Sequence, residues 1–213
     1  MISVRTGGFD RIAPLYDALA TMVFCDAIRK AELYFLSEVG KAGRLLILGG
    51  GTGRVLSDLH TTNPHCEIWY VDSSLAMIRI AKSNIIDFPN AHIHFIHGTQ
   101  AQLPLGVKYD AVIANFYFDL FSTPTLKQSL EEIHHALLPD GKLLVADFTK
   151  NNLWWQSALL AFMYFFFRGI CKIEATELPD WQRQLAGHNF QLRASQVFYG
   201  NFIKSAVYER EVH

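Results

Sequence analysis

Four of the five residues from 49 to 53 are glycine. The segment reads LLILGGGTG, an aliphatic run that gives way to Gly49, Gly50, Gly51, Thr52 and Gly53. A chain gives up side chains at such a point for a turn with positive φ, or for a ligand that lies against the backbone. Asp72 follows about 20 residues later, at the end of a second apolar run, EIWYVD. A carboxylate there accepts two hydrogen bonds from a ribose diol, while the helix start after the glycine turn offers unpaired N–H groups. Together they point to an adenosine-type ligand. The dinucleotide fingerprint GxGxxG does not fit, because its last glycine falls on Arg54 in one register and on Leu56 in the other. The spacing present is GxGxG over Gly49, Gly51 and Gly53, with no lysine behind it as a P-loop requires.

Two more carboxylates stand where proton transfer is expected. Asp119 in NFYFDLF and Asp147 in ADF each come at or just after the end of an apolar run, as a general base would, or equally a helix cap. The histidines are less promising. His92 and His94 of HIHFIHG share a strand face, but two ligands without a third make a poor zinc site. Ile93 and Phe95 mark the opposite face as the buried one, and His97 ends the run. His134 and His135 are neighbours on a helix and point apart, so no metal is expected.

These residues need a scaffold, and the chain alternates to supply one. Apolar runs at 44–49, 67–72, 92–98, 109–116 and 142–148 read as strands, with segments of helical period between them. In PTLKQSLEEIHHALLPDG, Leu126, Leu130, Ile133 and Leu137 share one face. Thr123 is the expected cap, Pro124 the first helical residue, and PDG the end. SSLAMIRIAKSNI begins on a serine cap and should carry Leu75, Ile78 and Ile80 inward. Strand–helix repetition predicts a parallel sheet covered on both faces. At the end, FQLRASQVF and NFIKSAVYER flank the turn YGN and can only pair antiparallel. The predicted fold is α/β, doubly wound, with a mostly parallel seven-stranded sheet and an antiparallel C-terminal hairpin. One domain covers residues 1–213, with a helical cap over 1–43 and an aromatic lid over 149–178.

Composition narrows the class. A formal net charge of −1 with scattered lysine and arginine excludes the basic footprint of a nucleic-acid binder. Cys25, Cys66 and Cys171 fit neither a disulfide framework nor a paired zinc site, so a cytoplasmic location is expected. The start, MISVRTGGFDRIAPLYD, lacks the apolar run of a signal peptide. LWWQSALLAFMYFFF, residues 153–167, is interrupted by Gln156 and Ser157 and stopped by Arg168, short of the roughly 20 apolar residues a spanning helix needs. A buried helix, a lid, or a helix making transient membrane-surface contact is expected instead. Oligomeric state stays open.

At this point the sequence resembles the class I S-adenosylmethionine (SAM) dependent methyltransferases over nearly its whole length. LLILGGGTG looks like their motif I (VLDLGCGTG), and YVDSSLAMIRIAK like the motif whose acid holds the ribose and whose next residues flank adenine. FIHGTQAQLP is similar to GDAxxLP, YDAVIANF to FDxVxxxx, and LLPDGKLLVADF to LxPGGxLxxxD. FDRIAPLYD resembles the N-terminal helix of the quinone-biosynthesis methyltransferases.

The resemblance implies SAM as cofactor, held by Tyr16, the loop 49–53, Asp72, Ser73, Met77, Thr99, Gln100, Ala101, Asn115 and Phe116. It departs at Ile47, where motif I usually has an acid, and at Thr99, where an aspartate usually takes the adenine amino group. Tyr16 or the residues after the fourth strand are expected to fix the methionine end instead. The lid implies a small, apolar or aromatic acceptor bounded by Trp154, Trp155, Tyr164 and Arg168, with Phe162, Met163 and Phe166 nearby. Two other readings remain at this stage: a non-catalytic protein that binds SAM or S-adenosylhomocysteine, and a NAD(P)-binding oxidoreductase. The glycine register and the C-terminal hairpin disfavour the second. A spermidine synthase, suggested by the GGG spelling, lacks its acidic loop in NFYFDLF.

Overall fold

The apolar runs become strands of one sheet because both of their faces are covered. The computed structural model describes residues 9–88, 91–151, 153–171 and 173–211. In it β1 (Arg44–Leu48), β2 (Glu67–Asp72), β3 (Ile93–His97), β4 (Tyr109–Asn115) and β5 (Leu137–Phe148) run parallel. Two strands run antiparallel, β7 (Ile203–Arg210) lying between β5 and β6 (Phe190–Phe198). The order across the sheet is β3-β2-β1-β4-β5-β7-β6. Strand pleat divides each run between two cores. Leu46, Leu48, Val71, Val112 and Val145 enter one, while Leu45, Ile47, Ile68, Ile113 and Leu144 enter the other. Each such side chain, fully buried, contributes about 1.5–3 kcal/mol.

Helices α3 (Arg54–Thr62), α4 (Leu75–Ser83) and α5 (Thr123–Ala136) connect the parallel strands. From β1 the chain winds outward through β2 to β3, then returns to β4 on the other side of β1. A crevice therefore opens beyond the carboxyl ends of β1 and β4, where an open α/β sheet holds its ligands. The N-terminal segment forms α1 (Ala13–Phe24) and α2 (Ala27–Leu33), and α6 (Trp154–Cys171) follows β5. No helix among the described residues is long and apolar enough to cross a membrane. α7 (Trp181–Ala186) is fastened to the sheet by the Trp181 indole N–H, which donates to the Phe148 carbonyl at 2.7 Å.

Three local expectations change. The cap of α5 is Ser122, with Thr123 the first and Pro124 the second helical residue. PDG lies inside β5, because Leu137 leaves the helix to pair with Tyr109 and is fully buried there. In α4, with Ser74 as the cap, the inward face is Met77, Ile78 and Ala81, whereas Leu75 is 39% exposed and Ile80 half-buried. The expected cap over 1–43 and lid over 149–178 include residues 1–8, 152 and 172, which lie outside the described residues.

Gly53 decides how closely α3 and α4 approach. It caps α3 at φ +74°, and a Cβ there would stand 2.6 Å from Ala81 Cβ and 2.9 Å from Ala81 Cα. Left-handed backbone costs an ordinary residue about 1–2 kcal/mol, and overpacking adds about 1–3 kcal/mol. Gly53→Ala is therefore expected to lower unfolding free energy by roughly 2–4 kcal/mol in a urea titration. An unchanged midpoint would mean that the two helices separate at no cost.

Candidate functional site

The glycine loop is held from beneath. Tyr70, pointing up from β2, donates its hydroxyl to the Gly51 carbonyl at 2.7 Å. The Asp72 carboxylate accepts the Gly51 N–H at 2.8 Å on one oxygen and the Ser74 N–H at 2.7 Å on the other. Three glycines of the loop are closed by neighbours: a Cβ on Gly49 would meet Tyr117, on Gly50 Tyr70 and on Gly53 Ala81. Gly51, at φ +63°, has nothing within 4 Å of where its Cβ would be. It lines a cavity of about 560 Å³, into which a side chain would project. Burial pushes the Asp72 carboxyl up to about 6, against the opposing pull of the Ser74 and Gly51 N–H groups. Each carboxylate oxygen has a second lone pair, so Asp72 can still accept from a ligand in the cavity it lines.

The N-terminal segment closes over this loop. Asp10 accepts from the Ser74 hydroxyl and from the Ala76 N–H, and those two donors hold its carboxyl below the ordinary range. Asp17 of α1 accepts from the Thr52 hydroxyl at 2.9 and 3.1 Å, with Arg54 at 3.9 Å. The rings of Phe9, Tyr16 and Phe167 cluster with centroids 6.0–6.5 Å apart, which joins this segment to α6. Asp10 and Asp17 fall in FDRIAPLYD, a stretch the resemblance marked without giving either acid a role. Glu32, which also lines the cavity, had no signal among the mixed charges of α2.

Most of the residues expected to meet the cofactor line the same cavity: Tyr16, Gly49, Gly50, Gly51, Thr52, Asp72, Ser73, Met77, Thr99, Asn115 and Phe116. Gly53 serves as the α3 cap beneath it. Gln100 turns its side chain into the core, where it donates to Ser129 Oγ at 3.0 Å and accepts from the Tyr117 hydroxyl at 2.7 Å. That leaves it no side-chain role toward adenine. Ala101 is exposed and offers no side chain to the cavity.

The other end of the cavity is apolar, lined by Leu159, Leu160, Phe162, Met163, Tyr164 and Phe166 of α6 with Phe116 and Phe148. The lid residues sort by helical face. Tyr164 lines the cavity and donates its hydroxyl to the Asp119 carbonyl at 3.1 Å. Trp154 is 82% exposed and Arg168 exposed, both outside the lining, and Trp155 packs on Tyr199 and Phe202. Trp154 and Arg168 sit on the outward face of α6, whereas Trp155 shares the face of Leu159 and Phe162 but comes a turn before the cavity, packed on the sheet side.

The two candidate acids differ in kind. Asp147 is fully buried and does not line the cavity. Its oxygens accept the N–H groups of Phe118, Asp119 and Phe148 at 3.0, 3.3 and 2.7 Å, which fixes the turn after β4. Asp119 lines the cavity, is 8% exposed, and keeps one carboxylate oxygen, Oδ1, buried without a partner. Burial pushes the Asp119 carboxyl up to about 7; burial, then repulsion from Asp119, pushes Asp147 well above the ordinary range. Among the histidines, His94 stacks on Trp69 and bonds Glu67 at 2.9 Å, and no cluster among the described residues is built to hold a metal ion.

Residues 46–143 match a family model described as a methyltransferase domain. A demethylmenaquinone methyltransferase of Chlamydia caviae is 33% identical over 144 residues, 68% of this chain and 61% of that protein. A ubiquinone/menaquinone biosynthesis C-methyltransferase of Syntrophotalea carbinolica is 31% identical over 159 residues, 73% of this chain and 64% of that one. The chain therefore spans less than two thirds of the length of these relatives. An O-methyltransferase family protein of Burkholderia thailandensis superposes with a TM-score of 0.72 at 16% identity, over 94% of this chain and 60% of that chain. The 1,6-didemethyltoxoflavin-N1-methyltransferase of the same organism was solved with 1,6-didemethyltoxoflavin and S-adenosylhomocysteine bound. It gives a TM-score of 0.68 at 15% identity, over 95% and 86%. At such identities the solved structures share the fold.

Asp72 holds the loop and stands where the ribose of an adenosine-type ligand is expected. Asp72→Ala leaves two buried N–H groups without acceptors as well as any diol. Its affinity for S-adenosylhomocysteine, measured by isothermal titration, is expected to fall at least tenfold, about 1.4 kcal/mol. An unchanged dissociation constant would place the ribose elsewhere.

Proposed function

The chain belongs to the class I SAM-dependent methyltransferases, and we propose that it transfers a methyl group from SAM to a small, apolar or aromatic acceptor. The observation that carries this reading is one continuous cavity. It joins the glycine loop and Asp72 to an aromatic chamber under α6, with Asp119 on its wall. The open position at Gly51 and the lone pairs of Asp72 fit the adenosyl part of SAM. When bound there, SAM supplies an activated methyl on its sulfonium, so the protein chiefly positions the reactants.

What this chain's residues contribute follows from the chamber. Its apolar walls exclude water and select a flat, apolar acceptor. Leu19, Val23 and Phe162 line the cavity and also reach solvent, so its mouth has an apolar rim suited to an acceptor arriving from a lipid surface. The quinone-related names of the relatives accord with such an acceptor. The Asp119 carboxylate takes the proton of an acceptor hydroxyl or carbon acid as the acceptor–methyl bond forms and the sulfur–methyl bond breaks. Asp147 acts as a positioning residue, holding the turn that carries Asp119. The three unpaired cysteines suit a cytoplasmic location.

Isothermal titration with SAM, S-adenosylhomocysteine and NADH tests the reading first. Binding of NADH alone would overturn it. Turnover is then followed on a panel of hydroxylated naphthoquinones and phenols. Binding without turnover on any of them would favour a non-catalytic SAM-binding protein. Asp119→Asn is expected to lower kcat by roughly 10²–10⁴-fold while leaving S-adenosylhomocysteine affinity within threefold. The ionised carboxylate is the active form and its titration lies at about 7. Wild-type kcat should therefore fall about tenfold per pH unit below that point and level off above it. A flat profile between pH 5.5 and 8.5 would remove Asp119 as the base.

A further inference from the structure

The cavity wall carries a carboxylate, Glu32, whose ion pair with Arg29 is long, at 4.0 Å. Glu32 lines the cavity from α2, and the apolar side chains of Ile28, Ile47 and Val55 line it as well. Ile47 is the position where motif I resemblance leads one to expect an acid, and it is 2% exposed with no polar atom to offer. The charges that weigh most on Glu32 are Arg29, Arg54, Asp17 and Asp58. Both guanidinium groups are shared with other acids. Arg29 is bonded to Asp58 and stands 4.0 Å from Glu32, and Arg54 stands 3.9 Å from Asp17. Two cations therefore face three carboxylates. Burial raises the Glu32 carboxyl to about 7, with the arginines opposing that rise and Asp17 and Asp58 adding to it. An acid held like this beside a ligand cavity costs stability until a cation arrives.

Its location singles out which cation. Glu32 lies within electrostatic reach of Tyr70, whose hydroxyl bonds the Gly51 carbonyl, and of Asp17, which bonds Thr52. The Arg29–Asp58 ion pair ties α2 to α3, the helix that starts from the glycine loop, so Glu32 enters the cavity on the glycine-loop side. A cofactor carrying an α-ammonium at its amino-acid end presents its charge on this side if its ribose is at Asp72. Resting on the SAM reading above, we propose that Glu32 binds the α-ammonium of the cofactor, so that α2 supplies the acid that β1 lacks.

A ligand cycle tests this without relying on activity. S-adenosylhomocysteine and its deaminated analogue, in which hydrogen replaces the amino group, are titrated calorimetrically into wild type and Glu32→Gln. Wild type should bind S-adenosylhomocysteine at least tenfold more tightly than the analogue. Glu32→Gln should lose that preference to within twofold, with its affinity for the analogue within threefold of wild type. Because the preference is a ratio taken within one protein, general loosening of the fold by the substitution cancels from it. Retention of the full preference by Glu32→Gln would overturn the assignment. So would a wild-type protein that binds both ligands equally well. Failure of wild type to bind either ligand would instead count against the SAM reading itself.

Discussion

The site depends on one carboxylate at the end of one strand. Asp72 bonds Gly51 ahead of α3 and Ser74 ahead of α4, so it fixes two loops that leave adjacent parallel strands. Without that clamp the glycines would have no reason to keep their positive φ, and Tyr70 would lose its fixed acceptor. The clamp works because β1 and β2 are in register, with Ile47 beside Tyr70 and Leu48 beside Val71, which brings Gly49 and Asp72 to the same edge. The desolvation that raises the Asp72 carboxyl is the cost of placing an acid there, and two backbone N–H groups offset part of it.

Around that clamp the chain builds a chamber from segments distant in sequence. The N-terminal helices close over the loop through Asp10 and Asp17, and α6 closes the far side through Tyr164 and its aromatic neighbours. Rings of Phe9, Tyr16 and Phe167 tie the two covers together. The buried acids are divided by task in the same way throughout. Asp147 and Asp72 give their oxygens to backbone N–H groups and hold loops. Asp119 and Glu32 line the cavity, and their carboxylates, with the remaining lone pairs of Asp72, are placed to meet a ligand.

Sequence reading recovered the scaffold closely. The strands begin and end within a few residues of the apolar runs, and β6 coincides with FQLRASQVF. Its errors lie where packing overrides local pattern. Leu137 was read as the last helical turn, but pairing with Tyr109 makes it strand. Gln100 was read as an adenine contact because of its place in a motif, yet the buried Tyr117 hydroxyl and Ser129 claim its amide. Trp154, Trp155 and Arg168 were grouped with Tyr164 because they are close in sequence. Only Tyr164 of the four lines the cavity: Trp154 and Arg168 fall on the outward face of the helix, and Trp155 comes a turn before the cavity.

The sequence by itself determined the doubly wound sheet, the glycine cradle and its acid, because strand runs, turns and the spacing between them are local and periodic. It could not decide which side chains share the cavity. Asp17 lies 35 residues before Thr52, and Asp10 lies 64 and 66 residues before Ser74 and Ala76; nothing local distinguishes these acids, or Glu32, from surface acids. Whether a carboxylate is spent on backbone N–H groups or left to meet a ligand follows from which neighbours reach it first, and only the folded chain sets that. Asp147 and Asp119 look alike in sequence; burial among three N–H donors made one a fastening, and a place on the cavity wall left the other available for chemistry.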